Sequence, residues 1–187
     1  AAGGGGGGAA LQPSQSGTQE TGAPVHVPSL VGMAITLQVL KQTPKARNHL
    51  KRLGNRTTFN ADEDMDYERG YLLLASIYVE GGKFDVALDL LNKVLGANRS
   101  CGRAWEAKGL IFEKEQSYKD AAESYEAAWK LVNCADPGIG YKLAFNYLKA
   151  KKFVQAIDAC HKVLEQHPNY PKIRKDVLEK ARASIRP

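Results

Sequence analysis

WEAKGLIFEKEQSYKDAAESYEAAW, from Trp105 to Trp129, is the stretch on which the fold turns. It holds small residues at Gly109 and Ala121 and aromatic ones at Trp105, Phe112 and Tyr125. Two other stretches fall into register with it. YLLLASIYVEGGKFDVALDLLNKVL starts at Tyr71, and GYKLAFNYLKAKKFVQAIDACHKVL starts at Gly140. The shared columns are Tyr71/Trp105/Gly140, Ala75/Gly109/Ala144, Tyr78/Phe112/Tyr147, Ala87/Ala121/Ala156, Leu91/Tyr125/Cys160 and Val94/Ala128/Val163. From the first stretch to the second each column advances 34 residues (71 to 105), and from the second to the third 35 (105 to 140). The extra residue belongs near the turn-forming Asp136-Pro137-Gly138.

A fixed period of this length signals a stack of helical repeats. Small residues allow the two helices of a unit to approach closely, and aromatic residues fill the groove between them. One pair cannot bury both of its faces, so units stack. The columns resemble the tetratricopeptide repeat, a helix-turn-helix over 34 residues. Pro168 stands where that family often places its repeat-ending proline, with Arg99 and Asn133 at the matching places. The fold class expected is therefore all-α, a tetratricopeptide αα-superhelix closed by a capping helix.

Upstream, Leu30, Met33, Ala34, Leu37, Ala46, Leu50 and Leu53 form a degenerate copy, with Thr43-Pro44 at its inter-helix break. Ala46 precedes Ala87 by 41 residues, so the following helix should be lengthened, beginning in the acidic run Asp62 to Glu68. Downstream, Pro171 can start a helix on which Ile173, Val177, Ala181 and Ile185 share one face, the pattern of a cap near a C-terminus. The first 28 residues contain the run Gly3 to Gly8 and little that is apolar; they read as a disordered linker from inside a longer polypeptide. The expected division is a linker over 1–28, a degenerate repeat over 29–60, repeats over 61–101, 102–136 and 137–170, and the cap over 171–187.

Charge and cysteine usage narrow the function classes. The net charge of +6 is blocky: Lys41 to Arg56 is basic, Ala61 to Glu68 acidic and Lys172 to Arg186 basic again. Such blocks mark solvated faces or contacts between subunits before they mark nucleic acid binding. Cys101, Cys134 and Cys160 show no metal spacing, and an odd count argues against a disulfide framework. No apolar run approaches the ~20 residues of a membrane span. Without a secretory signal the sequons at Asn55 and Asn98 read as chance. His161 and His167 lack partners at ligand spacing, Gly3 to Gly8 lack the Lys-Ser/Thr of a phosphate loop, and Glu113 with Glu115 reads as solvated. No catalytic residue, cofactor site or metal site is expected.

By repeat register the inner faces of the first helices carry Leu72, then Arg103, Glu106 and Glu113, then Tyr141, Lys142, Phe145 and Lys149. With the basic Lys172, Arg174 and Lys175 of the cap, these are the candidate partner-binding residues. At the places where chaperone-binding members of the repeat family carry a carboxylate clamp stand Leu72, Ser76, Ala107, Gly138 and Lys142. Only the last is basic, so that function is not expected.

QTPKARNHLKRL, NRSCGRAWEAKGLIFEKEQSYKDAAESYEAAWK, GYKLAFNYLKAKKF and HPNYPKIRKDVLEKARASIRP resemble one family's C-terminal end. That family is the large tetratricopeptide subunit of intraflagellar transport complex A, or tetratricopeptide repeat protein 21. The resemblance covers residues 38 to 187; the glycine-rich start departs from it. It implies a non-catalytic scaffold in the cilium or flagellum and at its base. The partners it implies are the WD-repeat-plus-helical subunits of the complex, serving retrograde transport and ciliary protein trafficking, without nucleic acid or membrane insertion. The alternative is a freestanding adaptor that binds a short peptide in its groove.

Overall fold

The computed structural model describes residues 26–54 and 64–185. What the sequence suggests for 1–25, 55–63 and 186–187 lies outside the described residues. The regular elements within them are all helical: α1 Val27–Val39, α2 Thr43–Lys51, α3 Asp64–Glu80, α4 Phe84–Ala97, α5 Gly102–Lys114, α6 Tyr118–Leu131, α7 Pro137–Lys149, α8 Phe153–Gln166, a π-helical turn Arg174–Leu178 and α9 Glu179–Ile185. Sequential helices pack as antiparallel pairs, and each pair packs on the next, which is the αα-solenoid expected.

The helix ends keep the repeat register. α4, α6 and α8 each run 14 residues and start at Phe84, Tyr118 and Phe153, which are one period apart. α3 ends in register with α5 but runs 17 residues against 13, so it is the lengthened helix. Each first helix ends the same way. Lys41, Gly82, Gln116 and Lys151, all in register, adopt φ of 58°, 71°, 63° and 60°. The following N–H then donates back to a carbonyl five residues earlier, from Gln42 to Leu37, Lys83 to Tyr78, Ser117 to Phe112 and Lys152 to Tyr147, at 2.8 to 2.9 Å. This left-handed cap satisfies carbonyls that would otherwise be orphaned at the helix end. Its recurrence at Lys41 places the degenerate copy in the same frame.

The small columns work as the packing argument requires. Ala87, Ala121 and Ala156 are fully buried. A Cβ at Gly109 would lie 2.8 Å from the Tyr125 ring, so the largest residue of one column faces the smallest of another. Gly140 departs from its aromatic column for a similar reason. The Trp129 indole, from the second helix of the preceding repeat, lies 3.0 Å from where a Cβ would stand. The extra residue falls in the α6–α7 loop, where Asn133 and Cys134 take φ of 51° and 59°. Asp136 caps α7 there, accepting from the Gly138 and Ile139 N–H groups at 2.7 and 3.2 Å.

Three expectations need correction. α1 begins at Val27, inside the segment assigned to the linker, because His26 accepts from Ser29 N–H and Pro28 suits the first turn. Met33 does not join the core: it is 51% exposed, and Val39 at the end of α1 and Leu40 just after it are exposed too. In the cap, helix begins after Pro171 and Lys172, through a π-helical turn, and Ile185 is 48% exposed while Ile173, Val177 and Ala181 are buried.

Candidate inter-repeat groove

The first helices of the second and third repeats meet through a polar contact. Lys142 Nζ lies 2.7 Å from Glu106 Oε1, joining α7 to α5. One turn further on, Asn146 Nδ2 donates to Glu113 Oε2 and to the Lys142 carbonyl, each at 2.8 Å. Asn146 is fully buried in a column whose other members are Ile77 and Ile111. A polar residue breaking a buried apolar column is the signal that could have singled it out. Tyr125 sits against the same contact, with Lys142 Nζ 5.8 Å above its ring. Its buried hydroxyl has no hydrogen-bond partner among the described residues. Burial first, then the Glu113 charge, holds this phenol far above its ordinary value.

Beyond this contact lies an aromatic cluster. Tyr141 and Phe145 stack at 6.4 Å, and Tyr141 meets Tyr170 at 6.0 Å. Lys149 Nζ lies 5.4 Å over the Phe145 ring. Burial, then the Asp176 charge, raises the Tyr141 phenol. Sequence register misses Tyr170, which lies in the turn after α8 and outside any column.

The candidate partner-binding residues thus separate into groups. Glu106, Glu113 and Lys142 come together around Asn146, and Tyr141, Phe145 and Lys149 around Tyr170. Leu72 is half-buried against the core, and Arg103 is exposed at the start of α5. Lys172, Arg174 and Lys175 are exposed at the cap, with an Arg174 nitrogen 3.4 Å from the Pro168 carbonyl. Lys142 is half of an ion pair, so the one basic residue at the carboxylate-clamp positions is already engaged. Glu113 accepts a hydrogen bond from a buried amide rather than standing solvated. Among the described residues no group of three or more His, Cys, Asp or Glu side chains could hold a metal ion, and no helix is long and apolar enough to cross a membrane.

A second recess lies between α6 and α8. Trp129, with Leu143 and Tyr147 of α7, lines it. On its rim Glu126 accepts from Lys130 at 2.8 Å and from the Tyr147 hydroxyl at 3.1 Å. Lys130 is the main reason the Glu126 carboxyl lies below its ordinary value, with Tyr147 assisting against burial. Burial, then the Glu126 charge, pushes the Tyr147 phenol up to about 12.

Comparison with known proteins gives consistent results. Residues 10–182 match the family described as the tetratricopeptide repeat protein 21 C-terminal ARM domain. The chain is 57% identical to human tetratricopeptide repeat protein 21B over 162 residues, which cover 87% of this chain and 12% of that protein. It is 58% identical to mouse tetratricopeptide repeat protein 21A and 42% identical to the Caenorhabditis elegans homolog, each over 86% of this chain and 12% of the relative. Solved structures of MamA superpose with a TM-score of 0.69 at 18% identity, covering 84% of this chain and 82% of that one, a likeness of fold alone. The chain spans about an eighth of the length of these curated relatives, and it belongs to the tetratricopeptide repeat protein 21 family.

Proposed function

We propose that the chain is part of a non-catalytic scaffold subunit of intraflagellar transport complex A. It acts at the cilium or flagellum and its base, in retrograde transport and ciliary protein trafficking. The observation that carries this reading is membership of the tetratricopeptide repeat protein 21 family across most of the chain. The geometry supports a scaffold role in physical terms. Ionisable groups on the groove wall are committed to joining repeats, as in Glu106–Lys142 and Glu113–Asn146, rather than gathered around a reacting centre. Its partners are the WD-repeat-plus-helical subunits of the complex; it needs no cofactor, nucleic acid or membrane insertion.

The stack of Tyr141, Phe145 and Tyr170 favours one second reading, a freestanding adaptor gripping a short peptide. Two sets of variants separate the readings. Charge reversal at Lys172, Arg174 and Lys175 should release complex A subunits on co-purification while leaving the melting temperature unchanged. Retention of those subunits by the reversed protein, with loss only on Tyr141→Ala and Phe145→Ala, would favour the adaptor.

A further inference from the structure

α2 departs from the other second helices in its charges. α4, α6 and α8 each mix acidic and basic residues, and one column, Asp89, Glu123 and Asp158, is acidic throughout. In α4 and α8 that acid stands four residues before a lysine, Lys93 and Lys162, the spacing at which opposite charges support a helix. The same two places in α2 hold Asn48 and Arg52. α2 has no acidic residue, and its first turn carries Lys45, the wrong sign for a helix N-terminus. Lys45, Asn48 and Arg52 share one exposed face, with Lys41 at its head and Lys51 beside it. Lys41, Lys45, Lys51 and Arg52 form no ion pair among the described residues.

The head of that stripe is also where the solenoid exposes an apolar pair. Val39 and Leu40, at the tip of the α1–α2 hairpin, are 77% and 59% exposed. The other hairpins hold Glu80-Gly81, Lys114-Glu115 and Lys149-Ala150 at these places. A line of cations ending in bare aliphatic side chains complements an acidic chain with an apolar residue at one end. A phosphate backbone would meet the cations but leave Val39 and Leu40 bare. A lipid surface takes up the apolar face of a helix, and the apolar face of α2, Ala46 and Leu50, is buried in the core.

We infer that the exposed face of α2, with Val39 and Leu40, is a docking surface for an acidic segment of a partner protein. Carboxylates of that segment lie along Lys41, Lys45 and Arg52, and an aliphatic or aromatic side chain at one end covers Val39 and Leu40. The neutral Asn48 keeps this face free of the acid that would repel the segment. α2 packs on α1 and α3, apart from the cap and the Glu106–Lys142 contact. Failure of this surface is thus distinguishable from failure of the complex A reading.

Fluorescence anisotropy with the intact protein and two labelled probes tests it: an oligoglutamate peptide ending in Leu-Leu, and oligoglutamate alone. The Leu-Leu peptide should bind saturably, as the tighter of the two, and weaken as salt rises. Asn48→Glu restores the acid of the column and should weaken binding roughly threefold to tenfold with the fold intact. Lys119→Gln, at an exposed position of α6, changes the net charge equally and should leave binding unchanged. Val39→Ser with Leu40→Ser should remove the advantage of the Leu-Leu peptide over oligoglutamate. Equal losses from Lys119→Gln and Asn48→Glu would mean attraction to the overall charge of +6 and overturn the site. Sedimentation of the protein with phosphatidylserine vesicles, lost on Val39→Ser with Leu40→Ser while neither peptide binds, would replace the partner segment with a lipid surface.

Discussion

The Trp129 indole occupies the volume that a side chain at Gly140 would need: a Cβ there would stand 3.0 Å from Cε2 and Cζ2 of the ring and would collide with Val163 Cγ2. The aromatic that Tyr71 and Trp105 contribute from a first helix is thus supplied, in the third repeat, by the second helix of the repeat before.

Gly140→Ala should accordingly destabilise the protein. Alanine in a helix interior ordinarily gains ~1 kcal/mol over glycine. Here the clash with a ring and a packed valine outweighs it, for a net loss of about 1–3 kcal/mol. Gly32, in α1 with nothing within 4 Å of its Cβ position, is the control: Gly32→Ala should raise stability. Urea unfolding of both variants checks the pair, and a stabilised Gly140→Ala protein would remove the proposed exchange of aromatics.

The recurring left-handed cap carries a second expectation. Gln116 and Lys151 hold φ of 63° and 60°, a conformation that costs a non-glycine residue roughly 1 kcal/mol. Gly82 holds the same place at 71° without that cost. Gln116→Gly should stabilise by several tenths to about 1 kcal/mol, after its greater freedom in the unfolded chain is subtracted. Gly82→Ala should destabilise by a similar amount, and thermal melts of the two variants should move in opposite directions.

How much of this was legible depends on the kind of information each residue carries. Ala121 and Val163 occupy positions where packing dictates residue type, so periodicity alone located the helices and their partners. Gly140 and Met33 could not be placed that way. The first depends on a ring arriving from another repeat, and the second on an α1 face left uncovered among the described residues. Grooves fared less well. Glu106 and Lys142 are 36 residues apart, and register alone puts them on adjacent helices without saying that they pair. Asn146 left a trace, a polar residue in the column of Ile77 and Ile111, whereas Tyr170 left none because loops do not keep the period.

The Asn146 contact predicts a pH-dependent defect. Asn146→Asp sets a second carboxylate against Glu113 inside the repeat contact, and it should cost about 3 kcal/mol or more at neutral pH. Burial and like charge raise the folded pKa of the new acid above its unfolded value of ~3.9. The protein carrying the neutral acid is the more stable form, so the defect shrinks as pH falls toward ~4 and deepens as pH rises through the raised folded value. Denaturation of variant and wild type at both pH values measures the difference. A defect independent of pH would mean that the carboxylate escapes to solvent.

Cysteine reactivity tests burial independently. Cys160 is fully buried, and burial pushes its thiol up to about 12; Cys101 is also buried and raised, chiefly by burial. Cys134 is half-buried in the α6–α7 loop. Iodoacetamide at neutral pH should modify Cys134 in the native protein and reach Cys101 and Cys160 only after unfolding. Peptide mass spectrometry that finds Cys160 modified at the rate of Cys134 would contradict the packing of α8.

The scaffold assignment itself turns on composition. Affinity purification of the tagged protein from ciliated cells, followed by quantitative mass spectrometry, should recover the other complex A subunits in fixed proportion to it through stringent washing. Recovery of the protein without them, at normal expression and with its fold intact, would contradict the account.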